Sequence, residues 1–249
     1  MNASEIEASV RLLTTARQQR SRIDWLPAVP CSVAEAHAIQ DAITASLGWP
    51  VGALKANAPK DGEAHRGVIY RRLIHRSPAR ITAAEVTRCG VEGEVAFVFR
   101  HDFPARTEAY SRAEVAAAVD ALAAIEVIDS RFTDPDQVPA LEKLADSIGN
   151  GAFVAAEPLD GWRRLNLAAL KVSLSVNETV ELEQQASHPT GDPLAVAVAL
   201  VNMMRAAGGV TAGQFVTTGS CTGVRYLQPC DTCTVRFEGL GSAELTFQA

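Results

Sequence analysis

Between Cys89 and Arg100 the chain reads Cys-Gly-Val-Glu-Gly-Glu-Val-Ala-Phe-Val-Phe-Arg, the stretch around which the rest can be organised. Val95 to Phe99 is an unbroken run of apolar, largely β-branched and aromatic residues, the composition of a buried strand. If the strand begins at Val91, its period of two puts Glu92 and Glu94 on one face, with Cα atoms roughly 6.5 Å apart. Two carboxylates side by side on an apolar strand repel each other and are costly to desolvate, and a divalent cation removes both difficulties. An edge strand carrying two solvated glutamates is the alternative.

A second stretch, Ala-Ile-Glu-Val-Ile-Asp-Ser-Arg-Phe from Ala124 to Phe132, again embeds a carboxylate, Glu126, in an apolar β-type run. Three such groups complete an all-oxygen site for a hard ion, Mg²⁺ or Mn²⁺.

The whole chain sets wide bounds. Its 249 residues are ample for a core, and 47% apolar with 21% charged residues is ordinary globular composition. A net charge of −6 leaves no basic footprint for nucleic acid. No apolar run approaches the ~20 residues that cross a bilayer, and Glu5 and Glu7 do not suit a secretory signal, so a cytoplasmic protein without membrane contact is expected. Five scattered cysteines argue against a disulfide framework. The Cys230/Cys233 pair sits in a strand-like context and reads as incidental.

Three capping boxes mark helix starts: Ser4–Glu7, Ser32–Glu35 and Ser111–Glu114. The first opens a helix to about Arg20 with Ile6, Val10, Leu13 and Ala16 aligned. The second carries Ala36, Ile39, Ile43 and Leu47 and stops at Gly48. The third aligns Val115, Val119 and Leu122 and runs directly into the Glu126 strand. Lys55 sits near a strand end at the mouth of a turn-rich loop reaching Gly62, where a solvated lysine is the plain reading. Arg71, Arg72, His75 and Arg76 read as a solvated face or a subunit contact. Thr133 to Leu144 is polar with two prolines, a loop and a lid candidate. In Ala145–Gly151, Asp146, Ser147 and Asn150 are either ligand contacts or turn formers. Asn177-Glu178 turns a hairpin with one buried face, and Asp192-Pro193 caps a helix to Ala207. Gln214 to Ala249 reads as short strands. With no linker or repeat, residues 1–249 read as a single catalytic unit, with a mainly helical region over 1–80 and a β-rich metal-binding core over 81–249.

Taken in order, V-E-G-E-V-A-F-V-F, A-I-E-V-I-D-S-R-F, A-D-S-x-x-N-G, G-D-P-L-A-V-A-V-A-L and A-G-Q-F-V-T-T-G-S resemble the 2-keto-4-pentenoate hydratase / 4-oxalocrotonate decarboxylase family, within the fumarylacetoacetate hydrolase superfamily. The resemblance runs from about Ala34 to Phe247. It implies an α+β fold, a mixed β-rich roll with a helical N-terminal region, assembled as a homo-oligomer. It implies Mg²⁺ or Mn²⁺ held by Glu92, Glu94 and Glu126, and a catalytic lysine matched by Lys55, although one extra residue separates it from Gly52. Ser147, Asn150, Thr218 and Gly219 are substrate-binding candidates and Asp146 a second-tier catalytic one, while Arg131 either binds a substrate carboxylate or pairs with Asp129 or Asp134 as a structural brace.

Two positions depart from the pattern. His65-Arg66-Gly67 stands where the family carries an acidic residue before a Phe-Gly pair, and Gly149 replaces a serine. Both are expected near the substrate, and His65 is assigned part of the missing acid's role. The implied activity is that of a lyase on a small 2-oxo or 2-hydroxydienoic acid in meta-cleavage type aromatic catabolism, a hydratase or a decarboxylase. Lys55, its pKa lowered by the cation, would move the proton. An acylpyruvate C–C hydrolase, which usually wants a Glu–His dyad, and a non-catalytic binding relative are the alternatives.

Overall fold

The computed structural model describes residues 1–58, 63–86, 88–185 and 188–249. Part of the turn-rich loop expected between Lys55 and Gly62 lies outside the described residues.

Two helices open the chain, α1 (Ala3–Gln19) and α2 (Val33–Leu47). The cap of α1 is Asn2 with Glu5, not the expected Ser4 with Glu7: Asn2 accepts from the Glu5 amide and the Glu5 carboxylate answers the Asn2 amide. Asn is as good a cap as Ser, and this register leaves Leu13 and Ala16 facing inward. Ser32 caps α2, and Gly48 ends it at φ 62°. Ala36, Ile39 and Ile43 of α2 pack with Leu13, Phe132, Val138 and Leu144 in a satellite core.

Four strands follow: β1 (Val51–Asn57), β2 (His65–Tyr70), β3 (Ile74–Arg76) and β4 (Ala79–Thr82). The mainly helical region expected over 1–80 therefore ends at Leu47. Next come β5 (Gly90–Phe99), α3 (Arg112–Ala117), β6 (Val119–Ile128), α4 (Ala140–Ala145) and β7 (Asn150–Ala155). The hairpin β8 (Lys171–Val176) and β9 (Thr179–Gln185) precedes α5 (Pro193–Met204), and β10 (Phe215–Ser220), β11 (Arg225–Tyr226), β12 (Thr232–Phe237) and β13 (Gly241–Gln248) complete the chain.

The Ser111/Glu114 box caps α3 as expected, but the helix stops at Ala117, and Val119 and Leu122 belong to β6. An alanine-rich segment is a good helix former. Here tertiary pairing wins: β6 lies antiparallel to β5 along its whole length, from Gly90↔Ile128 to Phe99↔Val119. The lid candidate is corrected too. Val138 and Leu144 are buried, α4 spans its end, and the buried Glu142 accepts the Leu26 amide at 2.9 Å. In the hairpin, β8 buries one face but β9 is almost wholly exposed, Val180 included.

Among the described residues the strands form two sheets. The larger runs β2-β1-β10-β5-β6-β7-β3 with β11 beside β5, and the smaller runs β4-β13-β12-β8-β9. Strands from the first third thus pair with strands from the last: β1 lies parallel to β10, and β4 parallel to β13. The main core fills the space between the sheets, with Val91, Val95, Phe97 and Phe99 of β5 facing that side together with Val235, Phe237, Leu245 and Phe247. On the other face of the larger sheet, Ala53, Ile69, Ala96, Leu122, Ala124 and Phe153 form a second apolar lining. That sheet curls until β2 meets the turn before β7, where a Cβ on Gly67 would lie 2.8 Å from the Ser147 carbonyl oxygen.

Gly93, between the two glutamates, has a structural reason. A Cβ there would sit 2.5 Å from Val235 Cγ1 and 2.9 Å from Thr222 Cγ2, so a side chain would push the sheets apart. The glutamates face the roll's interior because the residue between them must face the second sheet.

Candidate active site

Glu92 and Glu94 project from β5 onto the inner face, and register sets Glu126 of β6 directly opposite Glu92. One carboxylate oxygen from each lies within 4.8 Å of the others. Glu126 is fully buried, Glu94 nearly so and Glu92 half-buried.

The end of β10 and the segment after it wrap the Glu-Gly-Glu stretch. Gly219 donates its amide to Glu94 Oε2 at 2.9 Å, Cys221 donates to the Gly93 carbonyl at 2.8 Å, and the Gly93 amide donates to Thr222 Oγ1 at 2.9 Å. Glu126 Oε1 accepts from Asn150 Nδ2 at 2.9 Å and pairs with Lys55 Nζ at 2.8 Å. Lys55 arrives on β1, between β2 and β10, where it pairs with Gly67 and Thr217. Its ammonium also donates to the Ile148 carbonyl at 3.2 Å. That carbonyl belongs to a strained turn: Ser147 and Ile148 have φ of 56° and 55°, a left-handed conformation that a β-branched residue adopts at a cost on the order of 1–3 kcal/mol.

Electrostatics mark the cluster as incomplete by itself. Burial, reinforced by Glu126 and Glu92, pushes the Glu94 carboxyl up to about 8. Burial raises Glu92 as well, against the opposing pull of Lys55. Burial alone would lower Lys55, but Glu126, Glu94 and Glu92 outweigh it and the pKa is raised. The lowering expected of Lys55 belongs to the cation-bound state; the three carboxylates by themselves act in the opposite direction. Glu126 Oε2 and Asn150 Oδ1 are buried without a hydrogen-bond partner among the described residues. An all-oxygen donor set, two carboxyls raised by burial and an orphaned carboxylate oxygen fit a hard divalent cation.

Residues 65–248 match the family model described as fumarylacetoacetate (FAA) hydrolase C-terminal. The chain belongs to the fumarylacetoacetate hydrolase family. Among curated relatives it is 27% identical to the 2-keto-4-pentenoate hydratase of Paraburkholderia phymatum over 187 residues, 75% of this chain and 71% of the relative. It is 32% identical to a 4-oxalocrotonate decarboxylase of Pseudomonas putida over 137 residues, 54% of this chain and 51% of that one. The fold is similar to that of the 4-oxalocrotonate decarboxylase from Pseudomonas putida G7 complexed with magnesium and adipate, with a TM-score of 0.85, 21% identity and coverage of 99% and 98% of the two chains. The α+β roll expected from the sequence is thus the fold of this fumarylacetoacetate hydrolase relative.

The remaining candidates separate into two groups. Asn150 and Gly219 touch the carboxylates and orient them. Asp146 lies apart from the carboxylates: it is fully buried, its Oδ1 accepts from Arg131 Nε at 2.6 Å and Arg17 Nη2 at 3.2 Å, and its Oδ2 from the Arg131 amide at 2.9 Å and the Ser130 hydroxyl at 3.3 Å. Arg131 is spent in the same way, donating also to the Asn150 and Asp146 carbonyls. It braces the turn, with Asp146 as partner where Asp129 or Asp134 was expected. Thr218 donates to the Val95 carbonyl at 2.6 Å and meets His188 Nε2 at 3.0 Å, so its hydroxyl is engaged inside the protein. Ser147 contributes its backbone, against Gly67.

His65 shares the Lys55 face by register, opposite Asn57, but it is only half-buried and its Nδ1 lies 3.3 Å from the Glu63 carbonyl. Its neighbour Arg66 is buried, held by Gln40 and by Asp41 at 2.6 Å. Sequence reading missed Gly93, Thr222 and the Ile148 carbonyl. Only the glycine between two glutamates carried a local signal.

Proposed function

We propose that this protein is a divalent-metal-dependent lyase that acts on a 2-oxo or 2-hydroxydienoic acid by hydration or decarboxylation, a step of meta-cleavage type aromatic catabolism. The observation that carries this reading is the convergence of Glu92, Glu94 and Glu126 with a largely buried lysine bonded to the last of them. The relatives named as hydratase and decarboxylase, and the neighbour holding magnesium and adipate, support it.

Glu92, Glu94 and Glu126 would hold Mg²⁺ or Mn²⁺, and the ion would supply Lewis-acid polarisation of a chelated 2-oxo acid. Asn150 and the Gly219 amide fix two of the ligands, so the carboxylates need not reorganise when substrate arrives. Lys55 Nζ, held between Glu126 and the Ile148 carbonyl, is the group placed to hold or move a proton beside the metal ligands. Ala53, Ile69, Leu122 and Phe153, packed and fully buried on the same face, give the carboxylates an apolar surround that strengthens their attraction for a cation. The group bonded to the triad is an ammonium, not the imidazole of a Glu–His dyad: His101 is exposed, beyond the far end of β5.

The test is incubation with Mg²⁺ or Mn²⁺ and, in turn, 2-hydroxypentadienoate, 4-oxalocrotonate and an acylpyruvate. Loss of dienoate absorbance with uptake of water, or release of CO₂, is the expected result. Cleavage of the acylpyruvate alone would replace the lyase reading with a hydrolase, and no turnover of any of the three would make the chain a non-catalytic relative. A homo-oligomer is part of the same reading, to be measured by light scattering.

A further inference from the structure

Away from the carboxylates, the C-terminal end of α1, the turn after β2, β3 and the ends of β6 and β7 enclose a cavity of about 190 Å³. None of Glu92, Glu94, Glu126 and Lys55 lines it. Its charge is one-sided. Arg17, Arg20, Arg22, Arg72 and Arg131 contribute to the wall, against Glu85 and Asp129.

Arg17 and Arg131 share Asp146, Arg22 pairs with Asp129 at 2.7 Å, and Arg20 with Glu85 at 3.1 Å. Arg72 has no carboxylate partner among the described residues, and its guanidinium lies over the Trp49 ring, 4.4 Å from the centroid. Arg17, whose side chain is only 5% exposed, has a buried Nε with no hydrogen-bond partner among those residues. Burial, together with the positive charge of Arg131 and against the attraction of Asp146, pulls the Arg17 guanidinium down to about 10.

Basic side chains near the end of α1 complement its dipole, which accounts for Arg17 and Arg20. It does not account for Arg72 and His75, which enter from other elements, or for a buried N–H with no acceptor among the described residues. A cavity walled by surplus guanidinium groups, with one donor unspent, is a site for a small anion of more than one charge.

We propose that this cavity binds a small dianion, a dicarboxylate or an inorganic oxyanion, with Arg72 and the Arg17 Nε as donors and His75 in the wall. The site is separate from the metal ligands, so the proposal does not depend on which reaction they catalyse.

The test is calorimetric titration of the magnesium-loaded protein with sulfate and, separately, succinate, with chloride holding the ionic strength constant. Saturable binding of at least one is expected. Sulfate alone identifies an inorganic oxyanion site, and preference for succinate a dicarboxylate site. Arg72 is exposed, so Arg72→Gln should fold normally and weaken binding about tenfold or more, with partial recovery in Arg72→Lys. No saturable binding, affinity unchanged in both Arg72→Gln and His75→Gln, or binding abolished by Glu126→Gln would overturn the proposal. So would a crystal structure of the native assembly with a partner subunit's acidic side chain in the cavity.

Discussion

Glu126 and Asp146 are both fully buried, and both sit beside the β6–β7 connection, yet their surroundings are opposite. Asp146 has partners on both oxygens, drawn from two arginines, a serine and a backbone amide. Glu126 has a lysine and an asparagine on one oxygen and no partner among the described residues on the other, and it faces two more carboxylates. A buried ion cluster whose bonds close on themselves holds a turn in place. One left with an orphaned acceptor among like charges is prepared for something else. From sequence both were candidates for the site, Glu126 as a metal ligand in an apolar run and Asp146 as a second-tier catalytic residue in a turn-rich segment.

The largest effect expected from breaking this contrast is on rate. Lys55→Met should lower kcat on the order of 10²–10⁴-fold while the protein stays folded, measured by steady-state kinetics beside circular dichroism. On the other side, Asp146→Ala strands Arg131 and Arg17 without their partner and should cost about 3–5 kcal/mol in urea unfolding. The metal-free Glu126→Gln protein, which loses one of three crowded charges, should unfold at equal or higher urea. If Asp146→Ala proved harmless and Glu126→Gln destabilising, the roles would be reversed. Asn150→Ala sharpens the boundary, because the residue touches both clusters. Metal affinity should fall roughly 10–100-fold, read by calorimetry, with less loss of stability than in Asp146→Ala.

The contrast also carries a pH dependence. A carboxyl whose folded pKa lies above its unfolded one contributes stability below the unfolded value and loses it as pH rises through the folded value. Glu94 rises from 4.5 to about 8, so the metal-free protein should lose stability across that window. A bound cation favours the ionised form, so the rise in Tm on adding Mg²⁺ should grow from low to high pH over the same range. A metal-induced shift independent of pH would mean that Glu94 is not a ligand. His65→Ala stands last: at the rim, half-exposed and not bonded to the carboxylates, it should change kcat less than about tenfold.

Much of the fold and part of the site were legible in the chain. Periodicity placed Glu92 and Glu94 on one face, and helix ends followed from local hydrogen bonding at Ser32, Gly48, Ser111 and Asp192. Where α3 stops was not legible, because the helix preference of Val119 to Leu122 is overruled by pairing with a strand twenty residues earlier. Lys55 was a bare surface lysine by composition and became part of the site only through the family resemblance.

The sequence by itself determined the strand carrying two carboxylates, the caps of α2, α3 and α5 and the family motifs, since each rests on neighbours a few residues apart. Tertiary structure alone decided that Glu126 stands opposite Glu92, that β10 delivers the Gly219 amide to Glu94, that Lys55 lies against Glu126, and that Asp146 and Arg131 neutralise each other away from the carboxylates. The reason is physical: strand register, sheet curl and the burial of charge are set by contacts between residues far apart in the chain, which no local pattern encodes.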